Sequence, residues 1–409
     1  MLMVICSLIL FFQQGSATGA SASIFEEKMQ ADMLHRSGKY EEAIKAYQKI
    51  LEKDPKNKSV LMMMGTSLVL SKKAEEGLTV FKKLVESNPD DAEAYGSLSY
   101  GLLAVQKYDE AKIAALKTIE LNPKHYTAYS YLGSAENKLG HVDLAISAYK
   151  KSIEVNPRIA SVYNNLGYIY STNKQLGELE SLLLAGINYF PNDVSMLTGL
   201  VRIYYRNESF DKASVYLRKI TEIKKDDANS WFLLGTVESQ LNHNEAASDA
   251  FATGLKIKPG DAQAWGMKSH AEINLFHGYA AIADAQEYLT LLGPGDSHYP
   301  YVLITVWIGN KLINKPTEAD FALNEILEKT DSVSWQAEIA RFLLRKTPRE
   351  EFLSKANDVD KKTEANAYIG VDLILSGQKE KALPYLNWVK ENGNKKFVEY
   401  RLALAFLNR

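Results

Sequence analysis

Five prolines recur at a constant interval and set the organisation of the chain. Pro55, Pro89, Pro123, Pro157 and Pro191 each follow the previous one by 34 residues. A proline ends the helix before it and fixes the turn into the next segment. An interval of 34 residues is the length of a helix–turn–helix repeat unit. The spacing therefore predicts a stack of helical hairpins rather than one compact core.

The clearest unit runs from Tyr126 to Pro157 and reads YTAYSYLGSAENKLGHVDLAISAYKKSIEVNP. Two amphipathic helical patterns meet in it at a turn containing Gly140. Gly133 and Ala145 are small where the helices cross, because larger side chains would push the backbones apart. This pattern resembles the tetratricopeptide repeat (TPR) family. The resemblance implies an all-α fold, a right-handed TPR solenoid of stacked helical hairpins with a helical, TPR-like C-terminal region.

The pattern divides the chain into three predicted regions. Residues 1–22 are predicted to be a signal peptide, and residues 23–293 a TPR solenoid of about eight repeats. Residues 294–409 are predicted to be a degenerate helical region that ends in a TPR-like hairpin and a capping helix. Gly293, Pro294 and Gly295 mark the second boundary, since they interrupt the helical periodicity. An apolar stripe on the final helix would cover the exposed face of the last repeat.

The first residues indicate an exported protein. The apolar run MLMVICSLILFF is followed by Ala20-Ser21-Ala22, a pattern that signal peptidase cleaves, here before Ser23. The run is too short to span a bilayer, and a buried N-terminal helix is the alternative. The tail from about Thr363, with SGQKEKALPYL and GNKKFVEYRLALAFL, resembles the C-terminal end of bacterial NlpI-like TPR proteins. Both features favour a periplasmic or secreted bacterial protein.

Charge and cysteine content exclude several classes of function. The formal net charge of −2 leaves no electrostatic footprint for nucleic acid or an anionic membrane. The only cysteine, Cys6, precludes an intramolecular disulfide framework and a cysteine-based zinc site. No stretch predicts an integral membrane span.

The sequence offers little for catalysis. It lacks the phosphate-binding GxxxxGK[ST] loop, the HExxH motif and the GxSxG motif. The nearest approach to a metal site is His270, Glu272 and His277, but Glu272 is expected to point away from the two histidines, and no third ligand follows. We therefore expect no catalytic residue, no metal and no cofactor, and interpret these histidines as ordinary helix residues.

Function is then expected on the concave groove that stacked first helices create. The TPR resemblance implies which first-helix side chains face this groove, and they are polar, aromatic and rich in amides. Asparagine can pair with both the N–H and the C=O of an extended peptide, and tyrosine offers contact area at low entropic cost. The residues predicted to bind a partner are Tyr131, Asn137, Lys138, Asn164, Asn165, Tyr168, Arg202, Tyr205 and Arg206.

These observations predict an exported scaffold or adaptor that binds a protein or an extended peptide. The NlpI-like resemblance implies an envelope hydrolase, a protease, or a secretion or assembly factor as the partner. Arg202 and Arg206 lie one helical turn apart and would suit an acidic side chain. The alternative, from another class, is a structural solenoid that self-associates as a homodimer through its C-terminal region and has no peptide-binding function.

Overall fold

The computed structural model describes residues 19–409, with side chains from Ile24 onward. Within these residues there are 23 helices and no strand. This confirms the all-α fold of stacked hairpins that the 34-residue spacing predicts. The predicted signal peptide lies almost wholly outside the described residues, and the predicted boundary at residue 293 stays a prediction.

The chain forms two units, and the first of them ends at Pro191. Each hairpin of this unit joins an odd-numbered helix to the even-numbered helix that follows it. Its helices are α1 (Gly19–Arg36), α2 (Tyr40–Lys53), α3 (Lys58–Leu70), α4 (Ala74–Ser87), α5 (Ala92–Ala104), α6 (Tyr108–Leu121), α7 (Tyr126–Lys138), α8 (Val142–Val155), α9 (Ala160–Thr172) and α10 (Leu176–Tyr189).

The second unit runs from Asn192 to Arg409 and continues the alternation. It ends in an unpaired helix, α23. Its helices are α11 (Val194–Arg206), α12 (Phe210–Ile223), α13 (Ala228–Gln240), α14 (Asn244–Ile257), α15 (Ala262–Asn274), α16 (Gly278–Leu292), α17 (Tyr299–Leu312), α18 (Pro316–Lys329), α19 (Trp335–Leu343), α20 (Arg349–Lys355), α21 (Val359–Leu375), α22 (Lys379–Asn392) and α23 (Val398–Leu407).

Successive hairpins stack so that their first helices touch one another. In the first unit α3 contacts α1 and α5, and α5 contacts α7. In the second unit α15 contacts both α13 and α17. We call the surface formed by the odd-numbered helices the inner face of each unit. Side chains on this face belong to helices that lie close together in space although they are 34 residues apart in the chain.

An aromatic ring packed against a glycine brings the two helices of a hairpin together. A Cβ added to Gly133 would lie 2.9 Å from the ring of Tyr149, and one added to Gly235 would lie 2.9 Å from the ring of Phe251. Such short contacts do not occur with real Cβ atoms, so only glycine permits this approach. Both rings are buried, and each therefore fills the interior of its hairpin.

The turn inside each hairpin passes through one residue in the left-handed region of φ. Eight of these residues are spaced by 34, and their φ values lie between +55° and +84°. Only two of the eight are glycine, so the geometry of the hairpin imposes the conformation on residues that seldom adopt it. The eight are Gly38, Lys72, Gln106, Gly140, Lys174, Glu208, Asn242 and Phe276.

Three hairpins hold a buried glutamate next to the same turn. Glu136, Glu238 and Glu272 are at most 7% exposed. Each carboxylate accepts a hydrogen bond from the imidazole Nδ1 of the histidine five residues later, at 2.7, 2.9 and 2.8 Å respectively. The turn therefore brings His277 back onto Glu272, and the prediction that Glu272 points away from it was wrong. The sequence interpretation treated these residues as parts of one helix, whereas α15 ends at Asn274.

Glu238 shows how such a carboxylate stays charged while it is buried. Burial alone would raise the pKa of Glu238, but hydrogen bonds from Ser214 and His243 and the charge of Arg218 hold it below its ordinary value. The guanidinium of Arg218 lies 2.8 Å from the carboxylate. Arg218 and Ser214 belong to α12, so the charge links one hairpin to the next.

The last helix packs against the inner face of the second unit. Helix α23 contacts α21, α22 and also α15. The rings of Phe406 and Phe276 meet edge to face with centroids 5.1 Å apart. The guanidinium of Arg401 donates to the side-chain oxygen of Gln240 at 3.1 Å. Helix α23 thus joins the end of the unit to helices near its beginning.

Replacing Gly140 by alanine should destabilise the first unit. Gly140 has φ of +84° and no atom near the position of a Cβ, so the cost is conformational only, about 1 kcal/mol of unfolding free energy. Urea denaturation followed by circular dichroism measures it. The matched control is Gly177→Ala, a site in α10 that also has open space around it. The control should leave stability unchanged or slightly raised, and equal losses in both variants would contradict the interpretation.

Replacing Glu238 by glutamine should weaken the fold at neutral pH and flatten its acid response. A lowered folded-state pKa contributes stability that is present above the ordinary glutamate value of 4.5 and is lost as pH falls through the folded-state value. We expect Glu238→Gln to lose about 1–3 kcal/mol at pH 7. Its deficit relative to the wild type should shrink as the pH falls through that range, as measured by urea denaturation. The exposed Glu222→Gln serves as control, and a deficit that is constant with pH would contradict the assignment.

Candidate partner-binding surface

Helix α7 carries three of the predicted binding residues in the first unit. Tyr131 is partly buried, and its ring packs on that of Tyr100 from α5 with centroids 6.0 Å apart. Burial raises the pKa of Tyr131 to about 12, so its hydroxyl stays a hydrogen-bond donor. Asn137 is partly exposed, and Lys138 is exposed at the end of the helix. The inner face therefore presents a tyrosine pair followed by an amide and a cation.

Helix α9 carries the next three predicted residues. Asn164 and Asn165 are exposed, and the side chain of Tyr168 is 67% exposed. Asn164 and Tyr168 lie one turn apart on the same side of the helix. Asn165 also hydrogen-bonds the hydroxyl of Tyr149, so it has a structural contact as well as an exposed surface.

A cavity of about 410 Å³ lies on the same inner face, between α3, α5 and the start of α7. Its walls combine aromatic rings with hydroxyl, amide and charged groups. Sequence reasoning predicted only Tyr131 among its binding residues. The lining residues are Met62, Thr66, Glu93, Gly96, Ser97, Tyr100, Asn122, Lys124, His125, Tyr126, Thr127 and Tyr131.

His125 is the residue of this cavity whose importance the sequence did not reveal. Its Nδ1 accepts a hydrogen bond from the backbone N–H of Ala128 at 3.2 Å, which caps α7 and leaves the proton of the neutral ring on Nε2. Nε2 is buried and makes no hydrogen bond, although it lies 3.3 Å from the carboxylate of Glu93. The angular geometry of that contact is poor. The Nε2–H group is therefore available to an acceptor placed in the cavity.

The remaining predicted residues lie on α11 in the second unit. Arg202 and Arg206 are exposed, and Tyr205, 39% exposed, meets the ring of Phe210 edge to face at 5.6 Å. The carboxylate of Glu208 lies 3.3 Å from the amino group of Lys396. The predicted placement of the two arginines beside Asn164 and Asn165 stays a prediction.

Two further searches bear on chemistry within the described residues. From residue 19 to residue 409 no three His, Cys, Asp or Glu side chains are grouped so that they could hold a metal ion. In the same stretch no helix has both the length and the apolar character needed to cross a membrane. His277 is paired with Glu272, whereas His270 lies against the interior of the second unit.

Several known proteins are similar to parts of this chain. The peroxisomal targeting signal receptor of Candida albicans is 35% identical over 94 residues, which are 22% of this chain and only 15% of that protein. The Pseudomonas aeruginosa PilF structure has a TM-score of 0.43 at 16% identity, covering 50% of this chain and 94% of that one. The structure of YrrB, described as a TPR protein with an unusual peptide-binding site, has a TM-score of 0.37 at 20% identity, covering 45% of this chain and 95% of that one.

Family models give the clearest match. Four models of the tetratricopeptide repeat match residues 34–99, 97–157, 148–180 and 228–261. All four stretches end before the tail, so its predicted NlpI-like resemblance stays a prediction. The 34-residue period, the helical hairpins and these matches together show that this chain belongs to the tetratricopeptide repeat proteins.

Proposed function

We propose that this protein is a scaffold that binds an extended segment of a partner polypeptide on the inner face of its first unit. Tetratricopeptide repeats are typically non-catalytic protein-interaction scaffolds, and proteins that contain them bind proteins or peptides. The observation that carries the proposal is Tyr168, a large aromatic side chain that is 67% exposed on an inner helix. Exposed aromatic residues are enriched where proteins bind one another.

The chemistry around Tyr168 suits a peptide main chain. The exposed amides of Asn164 and Asn165 can donate to a carbonyl and accept from an N–H group. The cavity beside Tyr100 and Tyr131 could take a side chain of the peptide, since it joins aromatic walls to polar groups. The similarity to a receptor for a peroxisomal targeting signal, over 94 residues, also supports recognition of a peptide segment.

Peptides selected on the wild-type protein test this function. Short random peptides displayed on phage are selected on the protein, and the affinities of the winners are measured by fluorescence anisotropy. We expect Tyr168→Ala with Asn165→Ala to weaken binding by about tenfold or more, because aromatic contacts dominate such interfaces. The control, Ile113→Ala, removes a side chain that is 67% exposed on the second helix α6 and should leave the affinity unchanged.

A second double variant extends the test to the other unit. Arg202→Glu with Arg206→Glu should abolish binding of peptides that carry acidic side chains, while the thermal midpoint stays nearly unchanged because both arginines are exposed. Unfolding of this variant would make the arginines structural. Undiminished binding by both double variants would reject the inner face as the binding surface. A self-associated protein that selects no peptide would favour the structural alternative.

We further propose that the protein is exported to the periplasm or secreted by a bacterium, with an envelope protein as its partner. The support is the apolar run before Ala20-Ser21-Ala22. Expression of the full chain in a bacterium, followed by intact-mass measurement of the exported fraction, should give a protein that begins at Ser23. Retention of residues 1–22 in that fraction, or absence of the protein from it, would contradict export through a cleaved signal.

A further inference from the structure

The second unit encloses a cavity of about 500 Å³ between α15, α16, α17, α21 and the start of α23. Three aromatic residues line it, Tyr288, Tyr301 and Phe397. Two carboxyl groups line it as well, and their residues, Glu364 and Glu399, are only 6% and 5% exposed. The cavity has the volume of a small-molecule site, apolar walls and a few converging polar groups.

No cation offsets the Glu364 carboxyl group. It accepts a hydrogen bond from the indole N–H of Trp335 at 2.9 Å and a weaker one from the hydroxyl of Tyr301 at 3.5 Å. Within the described residues no basic side chain lies within 4 Å of Glu364 or of Glu399. A buried carboxylate without a partner is unfavourable, and it either takes up a proton or attracts a cation.

Glu399 is held differently. Its carboxyl group accepts a hydrogen bond from the hydroxyl of Tyr368 at 2.7 Å. The charge of Arg401 lowers its pKa, although burial outweighs this and the net direction is upward. Arg401 itself is directed to Gln240. One positive charge therefore serves two buried acids.

The neighbouring histidine does not supply the missing charge. Burial, with a contribution from the charge of Arg401, lowers the pKa of His270 to about 4, so its ring is neutral at pH 7. Burial, with a contribution from the charge of Glu399, raises the pKa of Glu364 to about 8. Glu364 is thus mostly protonated at neutral pH, and it becomes an anion when a cation is placed beside it.

We propose that this cavity binds an organic cation, an ammonium group on a small apolar body, supplied either by a free small molecule or by a lysine side chain of a polypeptide. The faces of Tyr288, Tyr301 and Phe397 would attract the cation, and Glu364 provides the counter-charge. The carboxyl group of Glu364 loses its proton to solvent when the cation enters, so one cation is exchanged for one proton. The cavity opens beside Gln263 and His298, which are exposed.

The other titratable groups near Glu364 come from each helix around the cavity. They set the background against which its proton is lost. They are His270 on α15, Tyr288 on α16, His298 and Tyr301 at the start of α17, Asp360 and Tyr368 on α21, and Glu399 and Arg401 on α23.

Choline is the probe for the test, because its charge does not change with pH. Titration calorimetry of the full chain should show choline binding, with an affinity that rises about tenfold per pH unit up to pH 8 and then levels off. Repetition in buffers of different ionisation enthalpy should show release of up to one proton per choline below pH 8. The uncharged isostere 3,3-dimethyl-1-butanol should bind at least about tenfold more weakly. N-acetyl-lysine amide distinguishes the sources: binding supports a polypeptide side chain, and binding of choline alone supports a free small cation.

Variants separate recognition from folding. Glu364→Gln should weaken choline binding by at least about tenfold and remove most of its pH dependence above pH 7, because the amide carries no charge. Phe397→Leu should weaken binding without changing the pH dependence. Glu350→Gln, an exposed change on α20, should have no effect, and circular dichroism verifies the fold of each variant. Failure of the wild-type protein to bind either cation, or equal binding by folded Glu364→Gln, would overturn the proposal.

Discussion

The contact between an aromatic ring and a glycine on the preceding helix is the interaction on which the stacked hairpins depend. It sets how close the two helices of a hairpin approach, as Tyr149 does on Gly133 and Phe251 does on Gly235. Rings of this size bury a large apolar area, and each contributes a few kcal/mol to its hairpin. Because the ring fills the hairpin interior, the first helix can present its opposite side to the inner face. The exposed residues of α9 owe their position to this packing.

Local signals made the fold predictable, whereas the sites depended on distant contacts. A proline constrains only its neighbours, so five of them at equal spacing were enough to predict hairpins. His125 stands in register with the helix-capping residues Asn57, Asp91 and Asp193, and this register could have revealed its capping role. No spacing rule joins Glu364 to Glu399, because α22 separates their helices in the chain. Their meeting depends on how α23 folds back, which the periodicity of one helix cannot show.

The inner faces of the two units differ in how they are used. In the first unit the inner face carries exposed amides and tyrosines and a cavity of about 410 Å³. In the second unit α23 packs against α15, and the larger cavity between them is lined by acids that have lost most of their contact with water. The first surface suits a main chain with many hydrogen-bonding groups, and the second suits one compact charged group. One repeat architecture thus provides two kinds of recognition, because its last helix returns to the inner face.

The return of α23 also changes how the second unit can come apart. In a simple repeat array each hairpin contacts only its neighbours, so the ends can fray and unfolding can spread one hairpin at a time. The bond between Arg401 and Gln240 joins residues 161 positions apart. This link closes the chain between them into a loop, and loss of either end releases the other. The second unit is therefore expected to unfold as one cooperative block and to fold slowly, since its most distant contact must form across the longest stretch of chain.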